Sequence, residues 1–183
     1  MRLDNIDELQ AWLTAVHINT AAWGQNGAKS VEALWQEIAV GETQIQADPP
    51  QRQVQVVEIL IRQDDKVLIE AAQDLADGQI RQRGILPAEK MKVGETVDTA
   101  VLRGLGEELG VTSEDVTILA DSYRQHQRLR DSPSYPGLPT LYSIHSLAVQ
   151  VKGLPEDDFW RDNAAYGQGD PVKRHYWVWK PEC

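Results

Sequence analysis

The chain has 183 residues, of which 42% are hydrophobic and 25% charged, a composition typical of a folded globular protein. It carries 28 acidic and 18 basic residues, and the net charge of -10 disfavours binding to duplex DNA or another extended polyanion. A small phosphorylated ligand is compatible with this charge, because a bound divalent cation reverses the local field. No apolar run approaches the length of about 18 residues that a membrane span needs, and the acidic start MRLDNIDELQ differs from a signal peptide.

Cys183 is the single cysteine, which excludes an intramolecular disulfide and a metal site built from several cysteines. We therefore expect a reducing compartment and a cytosolic location. The sequence leaves the oligomeric state open, a homodimer included.

The first 50 residues predict a helical extension. Asp4 is a candidate N-cap for a first helix, and a second helix is predicted between Ser30 and Gly41. The apolar residues of the first helix recur with helical spacing at Ile6, Leu9, Leu13 and Val16. Two consecutive prolines follow, so we place a boundary near residue 50, between an extension over 1–50 and a main domain over 51–183.

The main domain begins with a predicted β-hairpin. The segments VQVVEILIRQ and KVLIEAAQ are rich in β-branched residues and are separated by Asp64 and Asp65. Further strands are predicted at VTILA, LYSIHSLAVQV and HYWVW. The proline-rich segment SPSYPGLP is interpreted as a stiff connector, with a substrate-covering loop as the alternative.

A helix is predicted over VDTAVLRGLGEEL, with Thr96 as its N-cap and Gly110 at its C-terminal end. Strands surrounding a helix in this order predict an α/β fold with three layers and a mixed sheet. The last turns of this helix present Arg103, Glu107 and Glu108, and carboxylate oxygens are ligands that suit Mg²⁺ or Mn²⁺.

The run from Ile85 to Val111 resembles the Nudix box. The pattern of that box is G, five residues, E, seven residues, REU, one residue, EE, one residue and GU, where U is aliphatic. Seven residues match it without a gap: Glu95, Arg103, Leu105, Glu107, Glu108, Gly110 and Val111. The resemblance implies a Nudix-type α/β/α sandwich with a mixed sheet, preceded by the short helical extension.

The chain departs from this pattern at two positions. Glu89 stands where the box begins with glycine, and Gly104 replaces the glutamate that follows the arginine. In family members with the full pattern, the glutamate missing here binds metal or acts as a base. Glycine leaves room for a close approach, and we expect Glu89 to fold its carboxylate into the vacated space.

The resemblance implies roles for the remaining acidic residues. Glu107 and Glu108 would be catalytic and would hold Mg²⁺ or Mn²⁺, whereas Glu95 and Arg103 would orient the helix. Glu89, which the family pattern does not supply, is our own candidate for a third metal ligand, because its carboxylate can fill the space at Gly104. The alternative for Glu107 and Glu108 is an inherited scaffold without a metal. Arg103 and Glu107 are also spaced as an i, i+4 ion pair.

Basic residues near the box are candidates for binding phosphate. Arg124 and Arg128 lie in the segment RQHQRLRD, and Lys90 lies inside the box run. A solvated strand or loop is the alternative interpretation of the two arginines.

Two functions therefore remain open, and the acidic charge disfavours a third, direct binding of RNA. The first is a metal-dependent hydrolase of a nucleoside diphosphate linked to another moiety, with a small phosphorylated molecule as its partner. The second is a non-catalytic Nudix-fold module that binds a nucleotide-like ligand or a protein, and Gly104 is the feature that favours it.

Overall fold

The computed structural model describes residues 1–168 and 170–182, so Cys183 lies outside the described residues. The elements follow the chain in the order α1 (Ile6–Ala15), α2 (Val31–Ala39), β1 (Gln44–Gln46), β2 (Gln51–Gln63), β3 (Lys66–Leu75), β4 (Ile80–Ile85), β5 (Ala88–Lys90), α3 (Val97–Leu109), β6 (Val116–Ser132), β7 (Tyr135–Val151), β8 (Phe159–Asp162) and β9 (Val172–Pro181). None of the described helices combines the length and the apolar character that crossing a membrane requires.

The chain divides into two compact units, which we call the extension unit and the core unit. The extension unit consists of Met1–Val56, Lys90–Glu95 and Gln125–Ile144. The core unit consists of Val57–Glu89, Thr96–Arg124 and the described residues from His145 onward. The predicted boundary near residue 50 stays a prediction.

Six strands of the sheet follow one another in the order β6-β7-β2-β3-β9-β8. The core unit contains β3, β8 and β9, the beginning of β6 and the ends of β2 and β7. The predicted hairpin is present, because Gln63 of β2 pairs with Lys66 of β3 in an antiparallel ladder. Asp64 has a φ of 53°, a left-handed conformation that aspartate tolerates in such a turn. On its other side β3 pairs antiparallel with β9, and it also pairs with the short strand β4.

Helix α3 in the core unit begins and ends as its sequence predicts. The Thr96 hydroxyl accepts a hydrogen bond from the Thr99 backbone N–H at 3.2 Å, and Gly110 closes the helix with a φ of 66°. Two internal glycines cost about 1 kcal/mol each relative to alanine, so packing must hold the helix. Its buried face supplies that packing through Ala100, Val101, Leu105 and Leu109.

The extension unit has its own apolar core, formed by α1, α2 and the start of β7. This core consists of Leu9, Trp12, Leu13, Trp23, Leu34, Ile45, Tyr135 and Leu138. The Trp23 indole N–H donates to the Pro136 carbonyl at 3.0 Å, which satisfies the one polar atom of its ring.

A buried ion cluster reinforces this unit around Glu37. Its carboxylate accepts hydrogen bonds from Arg52 at 2.6 Å and Lys29 at 2.6 Å, and Lys90 lies 2.7 Å away. The Thr43 hydroxyl donates to the same carboxylate at 3.1 Å. Although burial alone would raise the pKa of Glu37, the charges of Lys90 and Arg52 hold it well below its usual range.

Two local predictions are wrong. The N-cap of α1 is Asn5 instead of Asp4: the Asn5 side chain accepts from the Glu8 backbone N–H at 2.9 Å, while the Asp4 N–H donates to the Glu8 carboxylate. Asn5 is the residue directly before the first helical one, where a capping side chain reaches the N3 amide.

The segment SPSYPGLP is neither a connector nor a loop. Only Pro133 and Ser134 separate β6 from β7, and the rest of the segment lies inside β7. Tyr135 and Leu138 are fully buried in the extension unit. Burial of these two side chains outweighs the general tendency of proline to interrupt a strand.

Candidate active site

The site begins with the contact between Glu89 and Gly104 in the core unit. A Cβ atom added at position 104 would lie 3.0 Å from the Glu89 Cβ and 3.1 Å from its Cγ. The Glu89 side chain thus fills the space in which a side chain at 104 would start. The hydrogen bond from the Ile59 N–H to the Pro87 carbonyl, at 2.8 Å, anchors the chain just before Glu89.

Arg103 connects two of the predicted carboxylates. Its Nη1 donates to Glu89 Oε1 at 2.8 Å and lies 3.7 Å from Glu107 Oε2. The i, i+4 contact that the sequence predicts is therefore present, but the contact with Glu89 is shorter. The Glu89 and Arg103 side chains are 17% and 20% exposed, against 38% for Glu107, so the Glu89 contact is also the less hydrated one.

Helix α3 is fixed near its C-terminal end by the segment that follows β8. The Ala164 N–H donates to the Glu107 carbonyl at 2.9 Å. This bond satisfies a carbonyl that the end of the helix leaves without an intrahelical partner.

Glu108 lies where carboxylates are concentrated in the core unit. Its side chain is partly buried, and burial raises the pKa of Glu108 well above its usual range. The charges of Glu70, Glu89 and Asp170 raise this pKa further, and the guanidinium of Arg83 opposes them. A cation in this region would relieve the repulsion among these groups.

Glu70 is a buried carboxylate that sequence reasoning missed. It is 4% exposed on β3, and His175 Nδ1 lies 2.7 Å from its Oε1. The Arg83 Nε donates to Glu70 Oε2 at 3.1 Å, and the Gln73 side-chain amide donates to Glu70 Oε1. The one sequence signal for a buried acid was the position of Glu70 inside the apolar run VLIEAA. The sequence does not indicate that Glu70 contacts His175, which lies far away along the chain.

Arg81 and Arg83 lie on one face of the exposed strand β4, because side chains two residues apart point the same way. Arg81 donates to the Gln73 side-chain oxygen, as Arg83 does to Glu70. Arg83 therefore contacts Glu70 directly, and Arg81 contacts Gln73, which itself donates to Glu70.

The predicted phosphate-binding residues have other contacts. The Arg124 guanidinium donates to the Tyr123 and Asp121 carbonyls at 2.7 and 3.2 Å. Arg128 is exposed on β6, and the Lys90 ammonium pairs with Glu37 and with Glu42 in the extension unit. Their binding of phosphate stays a prediction.

Glu95, predicted to orient the helix, has a local contact in the turn before α3. Its Oε2 accepts from the Lys92 backbone N–H at 2.8 Å, and its own N–H donates to the Lys92 carbonyl. This contact shapes the chain that leads into the helix.

The carboxylate oxygens of Glu89, Glu107 and Glu108 are suitable ligands for a divalent cation. Their side chains, however, do not converge on one point in this structure. Within residues 1–168 and 170–182, no three histidine, cysteine, aspartate or glutamate side chains are grouped closely enough to hold a metal ion. Glu89 and Glu107 both contact Arg103 instead.

Comparison with known proteins identifies the family. The NUDIX domain model matches residues 50–168, which is more than half of the chain. The chain therefore belongs to the NUDIX domain family. The predicted Nudix-type α/β fold with a mixed sheet and a short helical extension is thereby confirmed.

Similar solved structures include a NUDIX hydrolase from Nitrosomonas europaea, which is 20% identical, with 69% of this chain and 72% of that chain covered and a TM-score of 0.39. A C. elegans Ap4A hydrolase is 18% identical over 70% of this chain and 80% of that chain, with a TM-score of 0.34. The E. coli ORF135 protein is 23% identical over 70% and 74%, with a TM-score of 0.38. No curated protein matches the chain.

Proposed function

We propose that this protein is a Mg²⁺- or Mn²⁺-dependent hydrolase of a nucleoside diphosphate linked to another moiety, acting in the cytosol. The position of Glu89 is the single observation that supports this proposal most strongly. Its side chain occupies the space at Gly104, where the family pattern has a glutamate. The two departures from the pattern thus amount to a reciprocal exchange of glycine and glutamate, which keeps the number of carboxylates beside the helix.

In this proposal Glu107, Glu108 and Glu89 hold the cation. When bound, a divalent cation supplies neutralisation of diphosphate charge and a water of lowered pKa. Arg103 positions Glu89 through the 2.8 Å hydrogen bond. Arg83 lies on exposed β4 beside Glu70, and its guanidinium suits a phosphoryl oxygen of the substrate.

One observation favours the second candidate, a binding module without catalysis. Arg103 contacts both Glu89 and Glu107, so a charge of the protein itself offsets part of the charge of these two carboxylates. A module of this kind would bind a nucleotide-like ligand without turning it over.

The substitution Glu108→Gln tests the proposal. We expect it to lower hydrolysis of nucleoside diphosphate compounds such as ADP-ribose by roughly 10²–10⁴-fold, the effect of losing a group that acts directly in catalysis. Formation of the nucleoside monophosphate, AMP for ADP-ribose, is measured with Mg²⁺ and with Mn²⁺, and calorimetry measures binding of each metal.

The matched control is Glu114→Gln, which changes an exposed glutamate shortly after the same helix. It should leave turnover and metal binding unchanged. If the unsubstituted protein binds the compounds but does not hydrolyse them, it is a binding module. Equal losses of hydrolysis in the two variants would show that Glu108 has no specific role in the site.

A further inference from the structure

Strand β6 lies at one end of the sheet order, so among the described strands only β7 borders it. It extends over 17 residues, from Val116 to Ser132, whereas strands commonly have about five or six. Every residue of its segment from His126 to Asp131, which belongs to the extension unit, is exposed. An edge strand presents backbone N–H and C=O groups that can pair with another extended chain.

This exposed segment is basic although the protein as a whole is acidic. His126, Arg128 and Arg130 alternate along it, so their side chains share one face of the strand. No acidic residue lies between His126 and Arg130, in a chain whose net charge is -10. The Arg130 guanidinium lies 4.8 Å from the centre of the Tyr142 ring, a cation–π contact that holds it on this face. We call this segment the basic edge.

The opposite face of the basic edge carries an exposed apolar side chain. Leu129 is 62% exposed, more than any other large hydrophobic side chain of the described residues. It lies between Arg128 and Arg130 in the strand and therefore points the other way from them. A strand that pairs with the basic edge would thus meet positive charge on one face and an apolar side chain on the other.

These features distinguish among three kinds of partner. Nucleic acid is disfavoured by the net charge, and the basic edge has no phenylalanine, tyrosine or tryptophan on which bases could stack. A second copy of the chain would bring the same basic strand, and like charges directly opposite each other destabilise a strand pair. An acidic extended chain, by contrast, has the complementary charge.

We propose that the basic edge binds an extended segment of a partner protein in which acidic and apolar residues alternate. This segment would add a strand to β6 through main-chain hydrogen bonds, which supply affinity, while its alternate side chains supply specificity. The acidic side chains would lie opposite Arg128 and Arg130, and the apolar side chains would contact Leu129. This binding surface lies in the extension unit and does not rest on the proposed hydrolase activity.

Fluorescence anisotropy of a short labelled peptide in which glutamate and valine alternate, titrated with the full chain, tests the proposal. We expect saturable binding that is roughly fivefold weaker in the double variant Arg128→Gln with Arg130→Gln, because each substitution removes one opposite-charge pair between strands. Both residues are exposed, so folding of this variant should be retained. The matched control, Arg2→Gln with Lys152→Gln, removes two positive charges from exposed positions outside β6 and should bind the peptide like the unsubstituted protein.

Two further peptides provide the ligand controls. A peptide with lysine in place of glutamate should not bind, because its charge repels the basic edge. A peptide of the same composition as the first, with its glutamates and valines in separate blocks, should bind at least several-fold more weakly, because it cannot present its acids on one face.

Absence of saturable binding of the alternating peptide would overturn the proposal, as would equal losses in the two double variants. Tighter binding of oligothymidylate than of the peptide would also overturn it and would assign the surface to single-stranded nucleic acid. So would sedimentation that shows a dimer of the unsubstituted chain and a monomer of the Arg128→Gln, Arg130→Gln variant, since the basic edge would then pair with a second copy. None of these results depends on whether the protein hydrolyses a diphosphate.

Discussion

Replacing Glu89 with glycine is expected to lower diphosphate hydrolysis by roughly 10²–10⁴-fold, because it removes the carboxylate that we place at the position of the missing box glutamate. Replacing Gly104 with glutamate is also expected to lower activity. The new Cβ would lie 3.0 Å from the Glu89 Cβ and 3.1 Å from its Cγ, and a second carboxylate would be forced beside the first.

The double variant Glu89→Gly with Gly104→Glu is expected to recover most of the activity lost in either single variant, because it restores one carboxylate and one glycine at the same contact. Steady-state hydrolysis and Mn²⁺ affinity, measured for all four proteins, give a double-mutant cycle. Additive losses would contradict the reciprocal exchange. Recovery of thermal stability without recovery of Mn²⁺ affinity would assign the pair to packing alone.

The second large effect is expected on stability, from Glu37→Gln in the extension unit. Arg52 is 3% exposed, and the substitution would leave its charge buried without the carboxylate that it contacts at 2.6 Å. Removing one partner of a buried ion pair costs about 3–5 kcal/mol. Urea unfolding measures the loss in the free energy of unfolding.

Glu32→Gln provides the control on the same helix, because Glu32 is exposed. It should unfold at nearly the same urea concentration as the unsubstituted protein. A Glu37→Gln variant as stable as this control would show that the cations relax into solvent and that the cluster contributes little.

The same cluster predicts how stability depends on pH. The folded-state pKa of Glu37 is lowered from its ordinary 4.5, so its contribution is fully present above that value and declines as the pH falls below it. Thermal unfolding between neutral pH and about pH 3 should therefore show a smaller acid-induced loss in Glu37→Gln than in the unsubstituted protein. Parallel curves would contradict this assignment.

Local sequence signals predicted much of the fold correctly. The cap at Thr96, the end of α3 at Gly110 and the turn at Asp64 each depend on residues close in the chain, and such signals are readable from sequence. The continuation of β7 from Tyr135 was not readable, because burial of Tyr135 and Leu138 by distant helices decides it.

The candidate site divides in the same way. The fixed spacing of the box predicted Glu107 and Glu108 as site residues. The two departures from the family pattern, at positions 89 and 104, predicted that Glu89 lies beside Gly104. Glu70 and Asp170 were missed, since they approach Glu108 only through the folding of β3 and of the segment before β9. The contact of Lys90 with Glu37 was equally invisible, because it joins residues 53 positions apart, from 37 to 90.

The 3.0 Å approach of Glu89 to position 104 also constrains how this arrangement arose. Starting from the usual family pattern, a single codon change passes through an ancestor with either two crowded acids or none. Both ancestors would be handicapped, so homologous chains should carry one arrangement or the other and seldom a mixture. Positions 89 and 104 therefore act as one structural unit, although two separate substitutions are needed to exchange their residues.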